Sequence, residues 1–356
     1  MEASKDTRSD DFLECDVLVV GSGPAGASVA YHLARLGKDD VIVLERLSEK
    51  QHRRYHSICG EAVSDRVMGR AGISTDRILR RVDSIEISLG DSNPARVKVK
   101  GSIVERWAML EDILASSKAR RVRGSARHVR RLPEGGFEVE ATTCRIRCRT
   151  LVGADGAYSV VRKDLFGTRP ECMDPIVNTV VPGEPGDVLR FFVGEVPGAY
   201  TWNFPSSEGM RSVGFPKGFE EIGKDVVHGA RCIPSGRIPK VYDEGCLLVG
   251  DAAGLANPLC YGGIGAALLS GRKAAEAVVS GDLQGYGRWI DRDRMFDRRF
   301  MEVHREFTEW TTDEIEDALS LLSGNVNIFK GLVAMMRRPK YSRMYLAVWL
   351  GFRVGW

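Results

Sequence analysis

The sequence lacks long hydrophobic runs and a strong charge of one sign, and both absences exclude classes of function. No window holds the roughly 18 apolar residues that a membrane-spanning helix requires. Residues 1–14 are polar and acidic without an apolar stretch, so we expect no secretory signal peptide. The net charge of +3 is too small to indicate a nucleic-acid partner.

The cysteines and histidines lack the spacing of a disulfide framework or a metal site. Eight cysteines are scattered through 356 residues, so we expect free thiols in a cytoplasmic protein. Cys144 and Cys148 alternate like strand residues, and no second ligand pair accompanies them. His52 and His56 are four residues apart, but no helical pattern predicts that they share a face. No metal site is therefore expected.

The sequence does contain a dinucleotide-binding signature: a strand, a glycine loop and a helix. An apolar, β-branched run is followed by Gly21-Ser22-Gly23-Pro24-Ala25-Gly26 and by a helical pattern. Gly21 makes the tight turn, Gly23 lets the backbone approach a pyrophosphate, and Gly26 lets the helix pack on the strand. The phosphates then sit at the helix N-terminus. Glu45 ends the next predicted strand, and its carboxylate would bond an adenosine ribose and repel a 2′-phosphate, which favours FAD or NAD over NADP.

Two further segments resemble the second and third dinucleotide motifs of the glutathione-reductase-like flavoproteins that include p-hydroxybenzoate hydroxylase. The second is Ala154-Asp155-Gly156 with Ser159 and Arg162, and the third is Gly250-Asp251 after an apolar run. By this resemblance, Asp251 bonds the ribityl chain, and N–H groups at about Gly263 and Ile264 face the flavin pyrimidine. A helix N-terminus there stabilises the negative charge of reduced flavin. Three motifs in this order predict FAD as the cofactor.

One family of this superfamily matches best. The segment Tyr200-Thr201-Trp202-Asn203-Phe204-Pro205 resembles the Tyr-x-Trp-x-Phe-Pro sequence of geranylgeranyl reductases. Ser212-Val213-Gly214 and Gly236-Arg237-Ile238-Pro239 follow as in that family, and Cys59-Gly60 resembles the Cys-Gly that many archaeal members carry near the flavin. The resemblance covers roughly residues 15–280. It departs at Arg106, which is followed by Trp-Ala-Met-Leu where the family has Arg-x-x-Phe-Asp.

The resemblance implies an α/β fold with a glutathione-reductase-like FAD-binding Rossmann domain, an inserted antiparallel β-sheet substrate domain and a C-terminal helical region. We expect the FAD-binding domain in residues 1–165 and 240–285 and the β-rich substrate-binding domain in residues 166–239. The helical region would span residues 286–356, where Thr311 and Glu314 have the spacing of a capping box.

The resemblance also implies function: an FAD-dependent reductase that saturates C=C bonds of geranylgeranyl chains in lipid precursors, such as those of archaeal ether lipids. An isolated alkene has no carbonyl to accept charge, so we expect an acid to protonate one carbon while reduced flavin N5 delivers hydride to the other. The rings of Tyr200 or Trp202 would stabilise the developing cation by roughly 0.5–2 kcal/mol. Their alternation with period 2 also fits a plain core strand.

The candidate proton donors are Cys59, Tyr200 and His56, and only the family resemblance favours Cys59, which is equally well read as a small buried residue. The predicted substrate contacts are Tyr200, Trp202, Phe204, Pro205 and Cys260. The predicted cofactor contacts are Gly21, Gly23, Pro24, Ala25, Gly26, Glu45, Arg46, Cys59, Gly60, Asp155, Gly156, Gly250, Asp251, Gly262, Gly263 and Ile264.

The sequence leaves the partners and two other functions open. No second Gly-x-Gly-x-x-Gly follows a strand, so no separate nicotinamide domain is expected, and a ferredoxin or other protein donor, or NAD(P)H, would supply electrons. The basic run from Arg120 to Arg131 is either a solvated face or a docking site for an acidic carrier. The apolar segment 345–352, with basic flanks, either touches the cytoplasmic face of a membrane or packs on the core. A flavin monooxygenase of the same fold and an electron-transfer flavoprotein serving a quinone or protein are the alternative functions.

Overall fold

Two β-sheets form the framework of the computed structural model, which describes residues 12–196, 199–216 and 227–356. The expectation about a signal peptide concerns mostly residues that lie outside this range. Within it, the strands are β1 (Phe12–Val20), β2 (Val41–Glu45), β3 (Ala62–Ser64), β4 (Ile78–Leu89), β5 (Ala95–Val104), β6 (Arg120–Arg123), β7 (Ala126–Arg131), β8 (Phe137–Ala141), β9 (Arg145–Gly153), β10 (Cys172–Pro182), β11 (Val188–Val193), β12 (Tyr200–Pro205), β13 (Met210–Pro216), β14 (Val227–Ser235), β15 (Tyr242–Asp243), β16 (Cys246–Leu248) and β17 (Gly324–Asn325).

Helices connect these strands and fill the last part of the chain. In the described residues they are α1 (Pro24–Arg35), α2 (Glu49–His56), α3 (Asp65–Ala71), α4 (Arg106–Ala115), α5 (Val160–Phe166), α6 (Ile264–Ser280), α7 (Leu283–Arg292), α8 (Arg299–Thr308), α9 (Thr312–Ser320), α10 (Ile328–Arg337) and α11 (Ser342–Val354). Short 3₁₀ turns lie at Gly250–Ala253, Arg294–Phe296 and Pro339–Tyr341.

The first sheet is Rossmann-like and contains the predicted strand, helix and strand at the start of the chain. Its strand order is β15-β16-β9-β1-β2-β6, and the strands from β16 to β6 run parallel. β8 and β7 extend it from β9 by antiparallel pairing. The apolar run Val17–Val20 is buried throughout, as expected of a parallel strand covered on both faces. The α/β class predicted from the sequence is confirmed.

The second sheet has the order β14-β10-β13-β12-β11-β4-β5-β17, with β3 paired to β5. Most pairs are antiparallel, but β11 runs parallel to β4, and β17 runs parallel to β5. This sheet is therefore not confined to residues 166–239, because β3, β4 and β5 come from the range that was expected to bind FAD. Pairing between strands 100 residues apart leaves no trace in local periodicity, so the sequence boundary missed it.

The C-terminal part is mainly helical. The predicted capping box is present at α9, where the Thr311 hydroxyl accepts from Glu314 N and the Glu314 side chain accepts from Thr311 N. α11 buries Tyr345, Ala347 and Leu350, so most of the apolar segment packs on the core. No helix in the described ranges is both long enough and apolar enough to cross a bilayer.

Candidate active site

The glycine loop between β1 and α1 has room for a ligand at one position only. A Cβ placed on Gly21 would lie 2.4 Å from Ala154 O, and one on Gly26 would lie 1.9 Å from Gly21 O. A Cβ on Gly23 would meet nothing closer than the His56 ring, at 3.6 Å. Gly23 is also the N-cap of α1 and offers no side-chain cap to the first N–H groups. Free N–H groups beside open space suit a pyrophosphate.

The Glu45 carboxylate lies beside this loop at the end of β2. It accepts hydrogen bonds from Ser22 N at 2.9 Å, from Ser22 Oγ at 2.7 Å and from Leu47 N at 2.7 Å. These bonds fix its orientation next to the glycine loop and leave acceptor capacity for a ribose hydroxyl. The neighbouring Arg46 faces the ring of Tyr55, with 5.5 Å between guanidinium carbon and ring centroid.

The second motif braces the site. The Asp155 carboxylate accepts from Ser159 Oγ at 2.5 Å and from Val160 N at 2.7 Å, so it caps α5. Arg162 then donates to Ala252 O at 2.9 Å, which ties this motif to the third. The contacts of Asp155 within the chain are structural, and its contact with a cofactor stays a prediction.

The third motif touches the first. A Cβ on Gly250 would lie 2.9 Å from the Cβ of Ala25 in α1, so residues 225 positions apart meet closely. Burial raises the pKa of Asp251 to about 6, against the opposing effect of Arg106 and Arg162. A Cβ on Gly263 would lie 3.5 Å from Asp251 Oδ1, so the carboxyl group points toward the start of α6. Gly263 gives α6 no side-chain cap either.

FAD fits these residues. An uncapped helix N-terminus lies beside the open space at Gly23, a fixed carboxylate lies at Glu45, and a buried carboxyl lies at a second uncapped helix start. These three features match the phosphate, ribose and ribityl–flavin parts of the cofactor.

Three aromatic side chains of β12, namely Tyr200, Trp202 and Phe204, form the aromatic face. All three are buried in the core of the second sheet. Trp202 is paired across the sheet with Gly214 of β13, and a Cβ on Gly214 would lie 1.9 Å from Trp202 Cζ2. The glycine of the Ser-Val-Gly segment therefore makes space for the indole ring. Pro205 ends the strand and is buried too.

The Cys59 loop, residues 57–61, lies against the aromatic face. The Cys59 carbonyl accepts from Ser212 Oγ at 3.0 Å. A Cβ on Gly60 would lie 2.9 Å from Phe204 Cδ2 and 3.5 Å from Trp202 Nε1, so only glycine allows this approach. The structure thus brings together two predicted segments that are 140 residues apart in sequence.

A second loop, residues 257–263, joins the third motif to the aromatic face. The ring of Tyr261 stacks on Tyr200 with centroids 5.1 Å apart. Burial raises the pKa of the neighbouring Cys260 thiol to about 11. Tyr261 has φ +48° and Glu61 of the Cys59 loop has φ +54°, left-handed conformations that cost a non-glycine residue about 1–3 kcal/mol. Tyr261 contacts the aromatic face directly, and Glu61 directly follows Gly60, which packs against the same face.

The prediction that His52 and His56 share no helical face is wrong. They lie on α2 with ring centroids 4.3 Å apart, and both rings flank the glycine loop. His52 Nε2 is 3.1 Å from Ser22 Oγ. The missed signal was the capping box of Ser48 and Gln51, which starts this helix.

Arg106 and Glu61 complete the surroundings of the site, and sequence reasoning placed neither among the site residues. Arg106 N donates to Glu61 Oε1 at 3.2 Å, and Arg106 Nε donates to the His56 carbonyl at 3.0 Å. Burial raises the pKa of Glu61 to about 7. Arg106 is therefore hydrogen-bonded to both the Cys59 loop and α2, and its charge acts to lower the pKa of Asp251.

Comparison with known proteins agrees with this geometry. Residues 16–57 match the family model described as FAD dependent oxidoreductase. A structure of a geranylgeranyl bacteriochlorophyll reductase-like protein from Thermoplasma acidophilum superposes with a TM-score of 0.77 at 22% identity, covering 94% of this chain and 99% of that one. Digeranylgeranylglycerophospholipid reductase 1 of Methanopyrus kandleri is 28% identical, covering 89% of this chain and 96% of its own.

The fold, the three motifs and the matching model define the class: this is an FAD-dependent oxidoreductase, and its cofactor is FAD. Digeranylgeranylglycerophospholipid reductase 2 of Methanothermobacter thermautotrophicus is 31% identical over 80% of this chain and 83% of its own. The chain belongs to the digeranylgeranylglycerophospholipid reductase family.

Proposed function

We propose that this enzyme saturates C=C bonds in the geranylgeranyl chains of glycerophospholipid precursors. The observation that carries the proposal is that the loop 257–263, which follows the third FAD motif, and the Cys59 loop both contact one buried aromatic face. A buried apolar strand beside a flavin site suits a prenyl chain, which offers only hydrocarbon surface to its protein. The names of the relatives support the same substrate class.

The FAD-binding residues follow from the fit described above. Gly23 would face the pyrophosphate, with the N–H groups of Ala25 and Gly26 in the first turn of α1 directed toward it, and Glu45 would bond the adenosine ribose. Asp251 would bond the ribityl chain, with Gly262, Gly263 and Ile264 at the flavin pyrimidine. Bound reduced FAD supplies the hydride that the alkene accepts.

The aromatic face has two roles in this proposal. It excludes water from the bound chain, and its ring faces stabilise positive charge on the alkene carbon that receives the hydride, by roughly 0.5–2 kcal/mol. Trp202 Nε1 is buried without a hydrogen-bond partner among the described residues. Because an unpaired N–H is costly to bury and the prenyl chain has no acceptor, this atom is a candidate contact for a polar group of the cofactor or of the lipid headgroup.

Cys59 is the proposed proton donor, since the two other candidates suit the role poorly. Burial and nearby cations lower the pKa of His56 well below its ordinary value, so its ring is neutral at physiological pH. Burial raises the pKa of Tyr200 well above its ordinary value, which makes its hydroxyl a weaker acid. The Cys59 loop contacts both Trp202 and Phe204.

The two sheets would divide the work. We assign FAD binding mainly to the first sheet, from the expected domain 1–165 and 240–285, and chain binding to the second sheet, which adds β3 to β5 to residues 166–239. The helical region 286–356 would follow as the third part. Electrons would arrive from outside the chain, carried by a ferredoxin-like protein or by NAD(P)H, and the lipid would be met at the cytoplasmic face of a membrane.

Mass spectrometry of the lipid product tests this function. Holoenzyme reduced with dithionite is incubated with a digeranylgeranyl glycerophospholipid without oxygen, and each saturated bond should add two hydrogen atoms to the lipid. Oxygen should lower the yield, because it oxidises dithionite and reduced flavin, but it should add no oxygen atom to the lipid. A product that gains oxygen, or turnover that requires oxygen, would instead identify a monooxygenase of the same fold.

A further inference from the structure

One face of α10 is apolar and open. Ile328, Phe329, Leu332 and Met336 are 66%, 75%, 49% and 74% exposed, and they are among the few large hydrophobic side chains in the described residues with such exposure. At 3.6 residues per turn they fall within an arc of about 100°. We call these four residues the α10 face.

The opposite side of α10 packs on the protein. Ala334 is fully buried in a small cluster with Ala318, Tyr341 and Tyr345, and Met335 packs against the same cluster. The helix therefore has a fixed orientation, and its exposed apolar side chains are not a consequence of a loosely attached segment.

Charge on the surrounding segment has one sign. Residues 318–356 contain six Lys and Arg residues and no Asp or Glu, so this segment alone exceeds the net charge of +3 of the whole chain. Arg338, Lys340 and Arg343 pair with acidic residues of α8 and α9. Arg337 lies at the end of α10, is exposed and has no acidic partner among the described residues.

The strand before α10 attaches it to the sheet that carries the aromatic face. β17 pairs with β5, with Gly324 N donating to Pro94 O and Val326 N donating to Arg96 O, each at 2.7 Å. The Asn327 side chain then caps the helix at Lys330 N. The α10 face is thus held at the edge of the proposed substrate-binding sheet.

We propose that the α10 face inserts into the surface of an anionic lipid bilayer and holds the enzyme where its substrate lies. An apolar side bordered by basic residues is the pattern of interfacial helices whose apolar side enters the headgroup region. Arg337 borders the α10 face without an acidic partner among the described residues. A lipid surface of negative charge complements the unpaired Arg337 and can receive the four apolar side chains together. This inference rests on the proposed function, because the substrate there is a lipid. Its own evidence is the exposure of the α10 face and the positive charge beside it.

The burial of α11 favours α10 over the apolar segment 345–352 as the membrane-contacting surface. α11 buries Tyr345, Ala347 and Leu350, and only Leu346 and Trp349 are exposed to a similar degree. α10 buries a single residue fully and exposes four large apolar ones. The main insertion surface is therefore α10.

Vesicle flotation of full-length holoenzyme tests the proposal. Vesicles of phosphatidylglycerol and phosphatidylcholine are compared with pure phosphatidylcholine, for the natural sequence and for Phe329→Ser/Met336→Ser. The natural protein should float with the anionic vesicles, and the variant should show at least about tenfold weaker binding, because two large apolar side chains no longer enter the interface. Leu36→Ser/Val279→Ser, which alters two exposed apolar residues elsewhere, is the control and should float normally.

Each of the following outcomes contradicts one part of the proposal. Equal flotation of natural protein and variant, or equal binding to the two vesicle types, contradicts an anionic lipid contact through α10. Light scattering that shows a dimer only for the natural sequence would assign the α10 face to a second copy. Reduction of detergent-dispersed prenyl lipid, measured alongside, should persist in the variant. If neither the natural protein nor any variant reduces the lipid, the proposed function is wrong, and the flotation result alone decides this inference.

Discussion

At the scale of residues, Glu61 combines a buried carboxyl, a left-handed backbone and a position two residues from Cys59. Its Oε1 accepts from the backbone N–H of Arg106, while burial raises its pKa from 4.5 to about 7. Below pH 4.5 the carboxyl is protonated in both the folded and unfolded states. Between pH 4.5 and pH 7 the carboxyl ionises in the unfolded state but stays protonated in the folded state, so stability falls across this range and levels off above it.

Replacing Glu61 by Gln should remove this pH dependence. The free energy of unfolding of the natural protein should fall by about 3 kcal/mol more than that of Glu61→Gln between pH 4.5 and pH 7.5. Denaturant titrations of both proteins across this range measure the difference. Glu134→Gln, which alters an exposed carboxyl, should follow the natural protein. Parallel curves for Glu61→Gln and the natural protein would show that Glu61 titrates normally.

The sequence predicted the roles of residues that belong to motifs. It did not predict which residues outside the motifs are buried or adopt a strained backbone conformation. Gly21 and Gly26 were predicted from spacing, and their close contacts agree with the structural roles assigned to them. Asp251 was predicted through the resemblance to the third flavoprotein motif, and its contact with the cofactor stays a prediction. Glu61 and Tyr261 could not be predicted, because a left-handed conformation at a non-glycine residue is imposed by packing from distant parts of the chain.

At the scale of elements, the pairing of β12 with β13 shapes the aromatic face. Trp202 lies over Gly214. Gly60 of the Cys59 loop lies against both Phe204 and Trp202. Two glycines from separate elements therefore set the position of one indole ring. This explains why the family-like Cys-Gly and Ser-Val-Gly segments accompany the aromatic strand.

Gly214→Ala should destabilise the second sheet without removing FAD. The added methyl group would overlap the Trp202 ring, and forcing it into the core should lower the free energy of unfolding by about 1–3 kcal/mol. Thermal unfolding and flavin absorbance measure the two effects. Gly69→Ala is the matched control, since a Cβ there meets nothing within 4 Å, and it should leave stability unchanged or slightly raised. Equal stability of Gly214→Ala and the natural protein would mean that Trp202 does not lie where described.

Elements were predictable where their signal was local. The first strand, the glycine loop and the long helix after Gly263 follow from periodicity and glycine spacing. The membership of the second sheet did not follow from such local signals, because β4 pairs with β11, which lies about 100 residues later in the sequence. α2 was missed because its exposed polar residues give no apolar stripe, although its capping box was present.

At the scale of the whole molecule, the loops of residues 57–61 and 257–263 both pack against the aromatic face of the second sheet. The first sheet supplies the dinucleotide motifs, and the second supplies the aromatic face. The sequence motifs sufficed for the cofactor, since FAD imposes fixed spacings on the backbone. The substrate depends on a surface assembled from distant segments, so its class was reached through resemblance and then through packing.

Anaerobic single-turnover reoxidation tests the central claim, that the prenyl chain is reduced between FAD and the Cys59 loop. Reduced holoenzyme is mixed with a digeranylgeranyl lipid while flavin absorbance and lipid mass are followed together. The natural protein should reoxidise one flavin per saturated bond. Cys59→Ser should retain FAD and react at least tenfold more slowly, whereas the control Cys144→Ser should react normally. Flavin that stays reduced until oxygen is admitted, or undiminished reoxidation in Cys59→Ser, would contradict the account.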